Sequence, residues 1–304
     1  MKSDKLFAWA SLSRLPFHLL GLFPFALGSL LAYETGMPFS RGVFVLALAA
    51  IVLIMLATYY AGEYWDQKQD SISARVHLNR FAGGTRMILS GRIEQDAPFW
   101  ASLACLALAL LIGLVLQFDY RTGIWTFPLG LLGVVGGYFY STPPFRWVSK
   151  GLGELWIGFC YSWLPITAGF YLQTGSFSQT ASLMAIPIGL SIFNIILLNE
   201  FPNYSADKAC GKKNLVVRFR REAASYLYVL ASILSWGAVY LNFLLLGREE
   251  ALYIYLPVFI VSLFLTALVL MSFWEDDEDL EKICGANVLV SLGTTAVFIF
   301  VIMF

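Results

Sequence analysis

Residues 42–70 read GVFVLALAAIVLIMLATYYAGEYWDQKQD, and the first 21 of them, 42–62, hold no charge. About 20 apolar residues wound as a helix span the hydrocarbon of a bilayer. Beyond Gly62 the character changes at once: Glu63, Asp66, Lys68 and Asp70 follow within eight residues. This pattern predicts a membrane-spanning helix whose end carries chemistry.

The same reading extends outward. Further apolar runs cover roughly 15–33, 97–118, 123–140, 153–173, 179–200, 223–246, 252–274 and 286–304. None alternates as a barrel strand would, so each is a helix that satisfies its own backbone in lipid. The fold class is therefore all-α: a polytopic membrane protein with nine transmembrane helices in a single bundle, 1–304 forming one domain. Composition agrees. Of 304 residues 59% are hydrophobic and only 13% charged, with mean hydropathy +0.71. Soluble domains carry about 25% charge. Disorder, nucleic-acid binding and a secreted disulfide scaffold are excluded as whole-chain readings. The four cysteines lack metal spacing and read as small buried hydrophobes. No cleavage site ends the run from Leu15, so it reads as a permanent span.

The cations fix the orientation. Seventeen of the 20 Lys and Arg fall before residue 15 or in the second, fourth, sixth and eighth connections; only Arg41, Arg121 and Arg248 fall on the other face. By the positive-inside rule the N-terminus is cytoplasmic and the C-terminus outside, in a prokaryotic inner or plasma membrane. The motif connections, about 63–96 and 200–222, lie four helices apart, as expected if helices 1–4 and 5–8 are pseudo-repeats followed by helix 9.

Both connections carry oxygen-rich clusters. Glu63, Asp66 and Asp70 are spaced three and four, and Asn199, Asn203 and Asp207 four and four. Such spacings put side chains on one helix face. Like charges on one face repel, and a divalent cation offsets that repulsion. An all-oxygen donor set suits Mg²⁺ rather than Zn²⁺. Cations follow each cluster: Lys68, Arg75, Arg80 and Arg86 after the first, Lys208, Lys212 and Lys213 after the second. Carboxylates for Mg²⁺ beside Arg and Lys suit a diphosphate. A third segment, YFYSTPPFRWVSKGLGEL at 138–155, adds Tyr140, Ser141, Arg146 and Lys150. His18 and His77 read as structural or solvated, and the acidic run EDDEDLE at 275–281 as a solvated loop.

Together these segments resemble the UbiA superfamily of intramembrane prenyltransferases over nearly the whole chain. Asp66 and Asp70 match the aspartates of the family's Asn-x3-Asp-x3-Asp motif, and Asn199 and Asp207 the outer positions of its second motif. Asn79-Arg80, the turn at 83–86 and NEFPNYSADKACGKKNLVVR look closest to the menaquinone-type (1,4-dihydroxy-2-naphthoate) branch. Two positions depart from the pattern: Gly62 stands where the motif has Asn, and Asn203 where it has Asp.

The resemblance implies Mg²⁺-dependent transfer of a polyprenyl group from an allylic diphosphate to a small aromatic acceptor. Two Mg²⁺ would be held by Asp66, Asp70, Asn203 and Asp207. Arg14, Lys68, Arg80, Arg86, Arg146 and Lys212 would take the diphosphate. Tyr140 would serve the cation in a dry aromatic pocket, with Ser141 and Asn199 as further substrate contacts. Other quinone precursors, tetrapyrroles or lipid alcohols are alternative acceptors. Two other readings stand beside this one: a transporter of an anionic metabolite, and an isoprenoid-binding relative with weak catalysis. Against the transporter, the ionisable residues gather at one face and not at the midplane. The lipid bilayer is a partner in every reading, nucleic acid in none, and no protein partner is readable.

Overall fold

The computed structural model describes residues 2–73, 79, 81 and 83–304, with the backbone alone at residues 2 and 3. The described residues form thirteen α-helices joined by short turns. A surface helix α1, Lys2–Leu12, leads into α2, Leu15–Glu34, and α3, Arg41–Trp65. A short α4, Gln67–Ser73, carries the first motif onward. Then come α5, Ala97–Leu114, α6, Thr126–Tyr138, α7, Gly153–Tyr161, and α8, Trp163–Thr174. The second half holds α9, Gln179–Asn199, α10, Tyr204–Ala209, α11, Leu215–Leu245, α12, Ala251–Leu270, and α13, Asp277–Met303. The expectation of an all-α bundle holds.

Among the described residues eight stretches are long and apolar enough to cross a membrane, with α7 and α8 making one of them. Large apolar side chains such as Leu108, Leu111, Leu230, Ile233, Tyr253 and Phe264 are exposed around the bundle. In water such a surface would aggregate; in lipid it is solvated. The chain is therefore an integral, multi-pass membrane protein.

The expected span at 123–140 is the short helix α6, whose 13 residues reach only about 20 Å. The expected span at 153–173 breaks at Ser162 (φ −123°, ψ −80°). Pro165 follows directly; it has no N–H for the Tyr161 carbonyl, so the ladder is interrupted there. The acidic run at 275–281 is not a solvated loop. Asp276 caps α13 by accepting the backbone N–H groups of Glu278 (2.9 Å) and Asp279 (3.0 Å). Asp277, Glu278 and Asp279 occupy the first turn, where the helix dipole favours them.

Packing is closest where side chains are smallest. A Cβ on Gly28 of α2 would collide with the Ile166 carbonyl of α8, and one on Gly169 with the Phe25 carbonyl. The two backbones thus touch, and Ser29 Oγ donates to the Gly169 carbonyl at 3.3 Å. Helix α13 closes the bundle against α2, α9 and α12, while α3 lies on α5 and α6.

Candidate active site

Two ends of long helices meet at one end of the bundle. Helix α3 stops at Trp65, yet Asp66 N–H still donates to the Gly62 carbonyl and Asp70 N–H to the Asp66 carbonyl, both at 2.9 Å. The helical register therefore carries through, and Asp66 and Asp70 both line the same cavity. Helix α9 stops at Asn199, three residues before Pro202, which cannot donate to a fourth-previous carbonyl. Asp207 N–H donates to the Asn203 carbonyl at 2.8 Å, and Asn199, Asn203 and Asp207 also line the cavity.

The two clusters, far apart in sequence, are bonded to each other. The Gln69 amide donates to Asp207 Oδ1. Ser73 Oγ donates to Asn203 Oδ1 at 3.4 Å. Lys212, buried at 6% exposure, sits between them, 3.6 Å from Asp66 and 3.8 Å from Asp207. Asn214 donates to the other Asp207 oxygen at 2.8 Å. The third segment closes the ring: Ser141 Oγ donates to Asp66 at 2.7 Å and Arg146 pairs with it at 2.9 Å.

The glycine turn at 83–84 forms the opposite wall. Arg14 bridges Glu63 (3.2 Å) and the Gly83 carbonyl (2.6 Å). Buried Glu63 also accepts the backbone N–H of Thr85 at 3.0 Å and its hydroxyl at 2.9 Å. The Gly84 N–H donates to Asp70 at 3.2 Å, and a Cβ on Gly84 would overlap that carboxylate. Arg14, Arg86 and Arg146 all have positive φ, at 46°, 61° and 44°. Left-handed backbone is unfavourable for a non-glycine residue and clusters where function holds it in place.

Electrostatics follow from burial. Asp70 is pushed up to about 7 by desolvation first, then by the charges of Glu63 and Asp66. Asp207 rises to about 6 by desolvation, against the pull of Lys212 and the Asn214 hydrogen bond. Burial also raises the Tyr140 phenol, with Glu200, Glu154, Asp66 and Asp207 adding to it. No three Asp, Glu, His or Cys side chains among the described residues converge tightly enough to hold a metal ion unaided. Mg²⁺ takes one or two carboxylates plus substrate phosphate oxygens, and Asp66, Asp70 and Asp207 line one cavity. Repulsion among Glu63, Asp66 and Asp70 is the strain a divalent cation would relieve, so the donor set fits.

Arg14, Asp66, Asp70, Tyr140, Ser141, Asn199, Asn203, Asp207 and Lys212 all line this cavity of about 210 Å³. Arg146 reaches it through Asp66. Arg86 is half-buried and donates to the Ser73 carbonyl at 3.0 Å, outside the lining. Lys68 is exposed and does not line it. Two residues after Asp66 on a helix, Lys68 emerges on the opposite face. Arg75, His77 and Arg80 lie outside the described residues. Sequence reasoning missed Gln69, Glu154, Asn214 and Glu200. Gln69 was findable, since it stands three residues from Asp66 on the inward face. A second cavity, about 340 Å³ and mostly apolar, adjoins the first at Thr58 and Tyr161 and runs between α3, α5, α6 and α8.

A sequence profile described as the UbiA prenyltransferase family matches residues 21–292. Among similar proteins is a 2-carboxy-1,4-naphthoquinone phytyltransferase from Synechocystis, 27% identical over 74% of this chain and 70% of that protein. Another is a 1,4-dihydroxy-2-naphthoate octaprenyltransferase from Bacillus subtilis, 24% identical over 64% of each chain. Of solved structures, a UbiA homolog from Archaeoglobus fulgidus bound to GPP and Mg²⁺ superposes with TM-score 0.64 at 20% identity, covering 96% of this chain and 99% of that one. At that identity the likeness concerns the fold.

Proposed function

The chain belongs to the UbiA prenyltransferase family, and from that premise we propose that it transfers a polyprenyl group from an allylic diphosphate to a naphthoate-type aromatic acceptor in quinone biosynthesis. The observation that carries this reading is the meeting of the two acidic clusters and Lys212 at the mouth of a polar cavity that continues into an apolar one. A polyprenyl diphosphate has that polarity, with its charge at one end and hydrocarbon behind.

Asp66 and Asp70 would hold one Mg²⁺ and Asn203 and Asp207 a second, and the metal would supply charge neutralisation of the diphosphate. The protein's own groups do the rest. Arg14, Arg146 and Lys212 neutralise the departing diphosphate, and Ser141 orients Asp66. Fixed donors aimed at developing charge lower the barrier without reorganising. Leaving Asp66 for the diphosphate, Arg146 and Lys212 would free that carboxylate for metal. Tyr140 and Tyr161 face the region where the allylic cation forms; aromatic rings stabilise such charge and the apolar walls exclude water. The prenyl tail would occupy the apolar cavity from Thr58 outward. The site faces the cytoplasm, with the N-terminus on that side, in accord with the cation bias.

The test is turnover. Purified protein in lipid is given labelled geranylgeranyl diphosphate and 1,4-dihydroxy-2-naphthoate, with Mg²⁺ or with EDTA. Mg²⁺-dependent appearance of a prenylated, lipid-soluble product is expected. Diphosphate release with no acceptor dependence, or product formation in EDTA, would overturn the proposal.

A further inference from the structure

Beside the diphosphate groups the cavity wall holds a carboxyl, Glu200, that has no part in the steps above and has a second carboxyl behind it. Glu200 lines the cavity, is only 7% exposed, and among the described residues neither of its oxygens meets an N–H or O–H. Its neighbour is a second carboxyl, Glu154, at 0% exposure. One Glu154 oxygen accepts the Leu215 N–H at the start of α11, while the other has no donor among the described residues. Two acceptors side by side satisfy each other only by sharing a proton, and that still leaves acceptor capacity unused. A buried carboxylate without a donor is costly, so such a group calls for a partner from outside the chain. The Tyr140 ring lines the same wall, and its phenol feels Glu200 and Glu154 more strongly than any other charges.

The missing partner must bring a hydrogen-bond donor, be small enough for the cavity, and tolerate an acidic wall. An ionised diphosphate offers only acceptors, and a prenyl tail has no donor. An aromatic hydroxyl meets all three conditions. We propose that Glu200, braced by Glu154 and flanked by Tyr140, is the subsite that takes a hydroxyl of the aromatic acceptor and receives its proton during transfer. This rests on the prenyl-transfer reading above and deepens it by naming the residue that would hold the acceptor's hydroxyl and take its proton.

The step balances as follows. The ring carbon bonds to C1 of the allylic group while the C1–O bond breaks and its electron pair leaves with the diphosphate. The hydroxyl proton passes to Glu200, so the ring becomes a neutral ketone instead of a cation. The ring-carbon hydrogen then departs as a proton, and Glu200 returns its own proton to the oxygen. The products are the prenylated ring, diphosphate and one proton, with Glu200 a carboxylate again. Glu154 acts through Glu200 and is a positioning residue.

The experiment compares 1,4-dihydroxy-2-naphthoate with its mono-O-methyl ethers, using geranyl diphosphate as donor and protein in lipid. The unsubstituted protein should prefer the free hydroxyl over at least one ether by about tenfold or more in kcat/KM, because a site built for a hydroxyl rejects the analogue that lacks it. In Glu200→Ala and in the isosteric Glu200→Gln that preference should collapse to within about threefold. Mg²⁺-dependent binding of geranyl thiodiphosphate, an unreactive donor analogue, should persist in both. Glu154→Gln should lower the preference while leaving the donor KM in place. An unaltered preference in either Glu200 variant would overturn the subsite alone. Absence of transfer by the unsubstituted protein would overturn the activity reading and the subsite with it.

Discussion

Asp70 carries the clearest electrostatic signature of the site. Its carboxyl is buried beside Glu63 and Asp66 and titrates near 7 instead of near 4. Between those values the folded protein binds more protons than the unfolded chain, so metal-free protein gains stability as pH falls through that window and loses it as pH rises toward 7. A metal ion must displace the same proton. We therefore expect Mg²⁺ affinity to rise from pH 5.5 to 8 and to level off above about 7, read by Mg²⁺ titration of the melting temperature. Flat affinity across that range would remove Asp70 from the metal site. Gly62 gives a second residue-scale prediction. A Cβ added there has Ser141 Oγ, at 3.7 Å, as its one neighbour within 4 Å among the described residues, and the position lines the cavity. Gly62→Asn should fold normally and strengthen Mg²⁺ binding severalfold by adding an oxygen donor; weaker binding would show that the open space at this position is needed. The motif acids were legible in the sequence because three- and four-residue spacings survive the breaks after Trp65 and Asn199. Glu154 and Glu200 were not, since their pairing depends on the start of α7 meeting the end of α9 in space.

At the scale of elements the long helices could be read directly, because an unbroken apolar run of about 20 residues has few other solutions. Where the reading differed, a local cause can be named. Asp276 caps α13 early, Pro165 splits α7 from α8, and α6 stops at Tyr138. Tyr140 and Ser141, just beyond that early stop, line the cavity. Helix α6 also bounds the apolar cavity, where a Cβ on Gly130 meets nothing within 4 Å. Gly130→Phe should fill that space. We expect kcat/KM for the longest polyprenyl donors to fall about tenfold or more while geranyl diphosphate is little affected. Equal losses for short and long donors would place the tail elsewhere.

Across the whole molecule, the first and second halves of the chain each bring one cluster to a single end of the bundle. Residues 198 positions apart in the chain, such as Arg14 and Lys212, thereby share one cavity wall. The proposed sidedness rests on the cation count and is testable. A membrane-impermeant thiol reagent should label Ser176→Cys in intact cells and Glu94→Cys only after permeabilisation, both being exposed loop positions. The reverse pattern would invert the topology. The sequence alone could identify the bundle of apolar helices, though it counted nine spans where eight stretches among the described residues are long enough to cross a membrane, and it could not join the two motif loops. That junction is made by Gln69, Lys212, Ser73 and Asn203, bonds between segments well over 100 residues apart.

The central claim is that the two loops jointly hold one diphosphate. The direct measurement is Mg²⁺-dependent binding of geranyl thiodiphosphate to the unsubstituted protein, Asp66→Ala and Asp207→Ala, in lipid. Tight binding by the first, and a loss of about 10²-fold or more in each variant, is the predicted result. Unchanged affinity in Asp207→Ala with loss in Asp66→Ala would mean that the first loop binds alone, and would contradict the account.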